Sequence, residues 1–444
     1  MIRRTLLLFV LLPTLALAQA GPADAGPWRL GEPPREFTLD NGLRVVLQRD
    51  EAVPITVVQL LVRGGDRADP AGKAGLAYLT ARLCLEVTGQ GMLQRLVDRG
   101  SSFSLDVGGD YSLVTVRSLS RHLDPTLDVL VGMMSEPLFS DLRIDGIKEL
   151  MRSLQKQEGD NAVTLMRKTV AASFFAAPAY GAALFGSEES LRGIGKKDIQ
   201  EFFRSHYVAG NMTVVVASDL GAEELRPLLA RRLGRFASGP RAESPPLAPS
   251  RPQQPQMALE RQAAQGLVSV SLALPPLAAD EFAAATLLES WLGKGIGSRL
   301  WSLRSRESLA YSLSAELRPH RQGMLLSVYL RTDERRLAAA QAELERLLRE
   351  VHEQGIGAAE LSAAKAYARA DFWRENESRE RRAAFMAFLE GAGLSWRLAG
   401  DFTEQLDKIG LEEFNGRLRA WLAPERWFSL RIGPLVEEAK DSNK

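Results

Sequence analysis

The stretch "KAGLAYLTARLCL", residues 73–85, has the apolar spacing of a helix, with Leu76, Leu79 and Leu83 on one side. Two side chains four apart share a helix face, and at that spacing a pair of imidazoles holds a zinc ion. The one-turn pair here is Tyr78 and Arg82. Arginine offers donors only and keeps its charge, so Arg82 repels a dication. A neutral phenol is a poor zinc ligand. The helix has the geometry for metal chemistry without the groups that perform it.

No other residues replace them. The four histidines are His122, His206, His320 and His352, and the closest two are 32 positions apart, so no helical histidine pair exists. His122 precedes a helix, His206 falls near a helix end, and His320 follows Pro319 in an expected loop. His352 lies in a last helical turn, where a cation is favoured. Glu86, Glu149 and Glu158 read as isolated, solvated acids. Cys84 is the only cysteine, so no internal disulfide can form, and its apolar helix reads it as a small buried side chain. There is no G-x-S-x-G elbow, and the glycines of "GKGIGSRL" read as a turn before a helix rather than a phosphate loop.

These residues need a large scaffold. The 444-residue chain exceeds one ordinary core, and 45% hydrophobic with 25% charged residues fits a globular protein. A net charge of +1 gives no sign of a polyanion partner. The N-terminus reads as a signal peptide over residues 1–18: basic "MIRR", an apolar run, and the small-residue step Ala16-Leu17-Ala18. Export, most simply to a bacterial periplasm, is the expectation, with no integral membrane segment after cleavage.

"FTLDNGLRVVLQRD" reads as a hairpin about Asp40-Asn41-Gly42. "ITVVQLLVRGG", then two strands in "SFSLDVGGDYSLVTVRS", follow. Asp124 and Pro125 read as the cap and first turn of a helix that Pro137 ends. Helices over 142–158, 161–176 and "KKDIQEFFRSHY" lead to the strand "MTVVVAS". Residues 237–256, rich in proline and serine, read as a linker between domains at 27–236 and 257–436. Beyond it the order repeats: strand "LVSVSLAL", helix "EFAAATLLESWLG", strands "LAYSLSAEL" and "GMLLSVYLRT", helices, and a closing strand "WFSLRIG". The expected fold class is α+β, with two homologous domains of mixed, mainly antiparallel sheet packed with helices in a clamshell-like arrangement.

In order along the chain, "LDNGLRVVLQRD", "VRGGDRADPAGKAGLAYL", "HLDPTLDVLVGMMSEPLF", the long run from "PAYGAALFG" to "VVVASDL", and "GIGSRLWSLRSRESLAYSLSA" resemble the pitrilysin, insulin-degrading and mitochondrial-processing-peptidase family of inverted-motif zinc proteases. Its catalytic members carry H-x-x-E-H on the helix after this G-L-A step, and a glutamate on a later helix is the third ligand. The resemblance puts Tyr78 and Arg82 at the histidines, Ala81 at the general base, and Arg152 and Ser153 at the later acids. It also implies a substrate-binding Arg/Tyr pair, at Arg299 and Tyr311, able to donate to peptide carbonyls or a developing oxyanion. The strand "SFSLDVG" (102–108) resembles the one beside the family's active site and could pair with an extended peptide.

The resemblance therefore implies a chain that binds no cofactor and is no enzyme by itself. Zinc would belong to a homologous partner with H-x-x-E-H, and this chain would grip an extended peptide for it. Two other readings stand beside this one: a peptide-binding or assembly protein with no proteolytic role, and a hydrolase using a different site.

Overall fold

The computed structural model describes residues 31–434 apart from 87–89, 176–179, 181–182, 244–246, 262–264 and 306–309. The expected signal peptide lies outside the described residues. The expected hairpin is present: β1 (Arg35–Thr38) pairs antiparallel with β2 (Arg44–Arg49), and Asn41 Oδ1 accepts from the Leu43 N–H at 3.2 Å to close the turn. With β3 (Ile55–Arg63), β4 (Ser102–Val107), β5 (Tyr111–Leu119) and β6 (Met212–Ser218) they form a sheet in the order β1-β2-β6-β3-β5-β4. A second sheet, ordered β7-β11-β8-β10-β9, comprises β7 (Gln256–Glu260), β8 (Gln265–Leu274), β9 (Ser312–His320), β10 (Gly323–Asp333) and β11 (Phe428–Gly433).

Setting β1 aside, the two orders correspond strand for strand. In each, only the first pair is parallel, β2 with β6 and β7 with β11, and the other ladders are antiparallel. The helices follow the same plan. In the first half run α1 (Leu76–Cys84), α2 (Gln90–Val97), α3 (Leu123–Ser135), α4 (Asp141–Gly159), α5 (Ala162–Phe174), α6 (Glu188–Gly193), α7 (Lys196–His206) and α8 (Ala222–Leu233). In the second run α9 (Ala279–Gly293), α10 (Trp301–Ser305), α11 (Leu337–Gln354), α12 (Ala358–Glu375), α13 (Arg379–Ala392), α14 (Leu398–Lys408) and α15 (Leu411–Trp421). The duplication expected from element order is thus present in the hydrogen-bonded topology.

The halves are not separately closed. Helix α5 of the first packs on β8 and β11 of the second sheet, and α13 of the second packs on β3 and β6 of the first. Each half lends one helix to the other, and apolar clusters cross the boundary: Val57, Leu61 and Val215 join the second half's core, while Met166 and Phe174 pack with Leu267 and Phe428. Charges line the same seam. Glu390 of α13 takes Arg44 at 2.8 Å and Arg63 at 3.8 Å, and Glu380 pairs with Arg117. Burial, with the nearby charge of Arg241, pushes the Arg63 guanidinium down to about 10. In the stretch between the two sheets, Ala237 O accepts from the Ala209 N–H and the Ser250 N–H donates to Phe174 O.

Three expectations change. Asp124 does not cap α3: its carboxylate turns to Arg231 and Arg232, 2.8 Å from each, and the Arg232 hydrogen bond above all holds it down at about 2. His320 is not in a loop but ends β9, buried, its ring 4.1 Å from that of Tyr180, and burial with Arg318 nearby pushes it down to about 3. Glu149 and Glu158 are not isolated, pairing with Arg152 and Lys168. Cys84 is buried as expected, and desolvation pushes its thiol far up despite a contact with Tyr207. Native protein should therefore react with a thiol reagent only as fast as it unfolds. A burst equal to that of the denatured chain would contradict this.

Candidate functional site

Helix α1 is held at its start by Asp69, whose carboxylate accepts from the Gly75 and Ala77 N–H groups, each at 2.7 Å. Burial pushes this carboxyl up to about 7 against those hydrogen bonds. Leu76, Leu79, Leu83 and Cys84 face the core, and α1 packs on α4 and α7. Tyr78 and Arg82 lie on the half-buried side. The Tyr78 ring meets Phe185 edge-on at 4.8 Å. Burial raises its phenol above the usual range, although Arg82 pulls the other way, so no phenolate is available.

On α4, Met151 is buried against Gly75, which brings the two helices together. Next to it Arg152 reaches Glu149 at 2.6 Å and Glu188 at 2.8 Å, and Ser153 is exposed. The residues that the resemblance puts at the family's zinc positions do not fit the ion. The α1 side presents a guanidinium and a neutral phenol engaged with a ring. The α4 side presents a second guanidinium and a hydroxyl. Among the described residues, no three His, Cys, Asp or Glu side chains form a group able to hold a metal.

The pair in the second half is placed differently. Arg299, over the Trp291 ring at 5.9 Å, is engaged by Glu350 at 2.9 Å and Glu360 at 3.7 Å. Tyr311 immediately precedes β9 and is 59% exposed, its backbone N–H bonded to Arg331 O at 2.9 Å. Sequence reasoning passed over Arg304, in the same segment. It is exposed on α10, its guanidinium 5.1 Å above the Trp301 ring. The signal was legible as an Arg three residues after a Trp, on one helical face. Strand β4 stands at one end of its sheet and contacts α1, and β9 stands at the corresponding end of the other. Each therefore offers an edge at which an extended chain could add.

Two copies of one mixed sheet, cross-packed through exchanged helices, with a metal-type helix pair in the first, define the duplicated α+β architecture of the insulinase-type peptidases. Residues 44–187 match the profile described as "Insulinase (Peptidase family M16)", and residues 193–367 that of the "Peptidase M16 inactive domain". The chain belongs to peptidase family M16. It is 24% identical over 383 residues to a "non-peptidase homolog" of Helicobacter pylori, covering 85% of this chain and 88% of that one. The crystal structure of a peptidase M16 inactive domain from Pseudomonas fluorescens superposes with a TM-score of 0.82 at 20% identity, covering 91% of this chain and 98% of the other. The periplasmic protease PqqL of Escherichia coli superposes at 0.74 and 16% identity, covering 91% of this chain but 46% of PqqL. The present chain therefore spans about half the length of that protein. No helix among the described residues is long and apolar enough to cross a membrane.

Proposed function

We propose that this chain is the exported, non-catalytic, substrate-binding subunit of a two-chain zinc peptidase, supplying Tyr311 and an arginine to a homologous partner that carries H-x-x-E-H. The observation that carries the reading is the pair of guanidinium groups, Arg82 and Arg152, at the positions of a zinc ligand and a paired acid. Support comes from the half-length match to the single-chain PqqL, since a second unit of this kind would complete the longer protein's extent. The edge of β4 supplies main-chain donors and acceptors for an extended peptide, and the phenol of Tyr311 with a guanidinium adds sequence-independent donors to its carbonyls.

The test is reconstitution. The purified chain should hold no stoichiometric zinc and cleave nothing. Mixed with an H-x-x-E-H partner from the same cell envelope, it should restore peptide cleavage. In that mixture Tyr311→Phe, which removes one donor to a developing oxyanion, should lower kcat by about 10²-fold. Arg304→Ala and Arg299→Ala then identify the guanidinium that acts. Arg299 is already engaged by two carboxylates, so the larger loss is expected from Arg304→Ala. Full turnover with Tyr311, Arg299 and Arg304 all substituted would remove the proposed role.

A further inference from the structure

Between α9 and α12 the second half holds a pocket of about 170 Å³ that opens to solvent. Its position follows from the internal repeat. Helix α9 lies between β8 and β9 as α1 lies between β3 and β4, and α12 is the second helix after β10 as α4 is after β5. The pocket thus stands at the second half's counterpart of the α1–α4 contact.

The walls are Trp291, Ala364 and Tyr367, with Gly297 and the exposed Ala363 at the mouth. The indole is fixed, because its N–H donates to Glu360 at 2.8 Å. Gly295 has a φ of +80°, and a Cβ there would come within 2.7 Å of the Tyr367 hydroxyl, so only glycine lets this loop close against the ring. The loop presents Ile296, 77% exposed, between two glycines. Lys294 lines the pocket but is neutralised by Glu289 at 3.1 Å and Asp371 at 2.9 Å. Glu360 is likewise engaged by Trp291 and Arg299. No uncompensated charge faces a ligand, which selects a neutral one.

Size and polarity narrow the class. An apolar cavity of about 150 Å³ admits one benzene ring, so this pocket takes a single six-membered ring. Ser290, one of the lining residues, is 2% exposed, and its hydroxyl has no hydrogen-bond partner among the described residues. A buried hydroxyl without a partner favours a ring bearing a polar group. We propose that the pocket binds a phenolic ring, presented either as a tyrosine side chain of a bound peptide or as a free phenol. Its peptide source rests on the substrate-binding reading above. The pocket itself does not.

The experiment uses the full chain and two probes, p-cresol and toluene, followed by ligand-observed NMR, with circular dichroism to confirm that each variant is folded. Saturable p-cresol binding is expected. Ala363→Phe, at an exposed position, fills the mouth and should weaken it at least about tenfold. Ser290→Ala should weaken p-cresol about 3- to 10-fold and leave toluene unchanged. Absence of saturable p-cresol binding, or binding indifferent to Ala363→Phe, overturns the proposal. In a second arm, displacement of p-cresol by an acetylated Ala-Tyr-Ala amide and not by Ala-Ala-Ala supports the peptide source. No displacement, with p-cresol binding intact, overturns that source and assigns the pocket to a free phenol. Reconstituted cleavage enters neither arm, so failure of the subunit reading and failure of the pocket are separately visible.

Discussion

Gly391→Ala is expected to destabilise the protein by about 2–3 kcal/mol, the cost of overpacking a closed contact. Gly391 lies in α13, the helix that the second half lays on the first half's sheet. A Cβ at this position would stand 2.3 Å from Tyr111 Cδ1, 2.4 Å from its Cε1 and 2.9 Å from Leu61 Cδ1. None of these neighbours is the free end of a flexible side chain: one is a ring, the other a core leucine that is 0% exposed. Against the clash stands the helix propensity of alanine over glycine, worth about 1 kcal/mol. Geometry decides which term wins, and Gly146→Ala isolates it. Gly146 lies on the exposed side of α4 with nothing within 4 Å of its would-be Cβ, so there alanine should stabilise by up to about 1 kcal/mol. Denaturant midpoints should therefore move in opposite directions for the two variants. Movement in one direction for both would show that α13 does not rest on the sheet through this contact.

The strands, the hairpin and the repeat were legible because alternation and turn chemistry are local. Asn41 and Gly42 set the turn, and β3, buried at eight of nine positions, reads as a central strand of either sheet. The exchange of α5 and α13 was not legible. An apolar stripe states that a helix face is buried, not which sheet buries it, and "AVTLMRKTVAASF" would satisfy either. His320 was misread because Pro319 signals a loop. On an edge strand, however, a proline has no ladder bond to forfeit on its open side, and β9 is such a strand. That Tyr78, Ala81 and Arg82 make a poor metal site needed only their residue types. The engagement of Arg299 by Glu350 and Glu360, 51 and 61 positions away, needed the fold.

The exchange also concerns the two edge strands, because β4 and β9 belong to sheets that α5 and α13 tie together. Arg167 of α5 reaches Glu316 of β9 at 2.9 Å, so the lent helix also braces the second edge strand. Joined by the exchanged helices, the two sheets form one wall.

Asp50→Ala should loosen that wall more than any other single charge removed from the seam. Asp50 follows β2, and its carboxylate lies between Arg379 and Arg382 of α13, whose side chains are each 6% exposed. Arg379 also donates to Val53 O and Arg382 to Glu377 O, so both guanidiniums stay in place when the acid is gone. Two buried cations then lack their counterion, and breaking such a group costs about 3–5 kcal/mol. The sign of the pH dependence follows from the carboxyl. Burial alone would raise it, but the Ala52 N–H and the two arginines outweigh burial and hold it below the usual range. Its contribution is therefore complete above the unfolded value of about 4 and disappears as pH falls through the lower folded value. Wild type and Asp50→Ala should differ most in urea midpoint near neutrality and converge in acid. An equal gap at pH 7 and pH 2.5 would mean that the ionised carboxylate does not hold α13 to the first sheet.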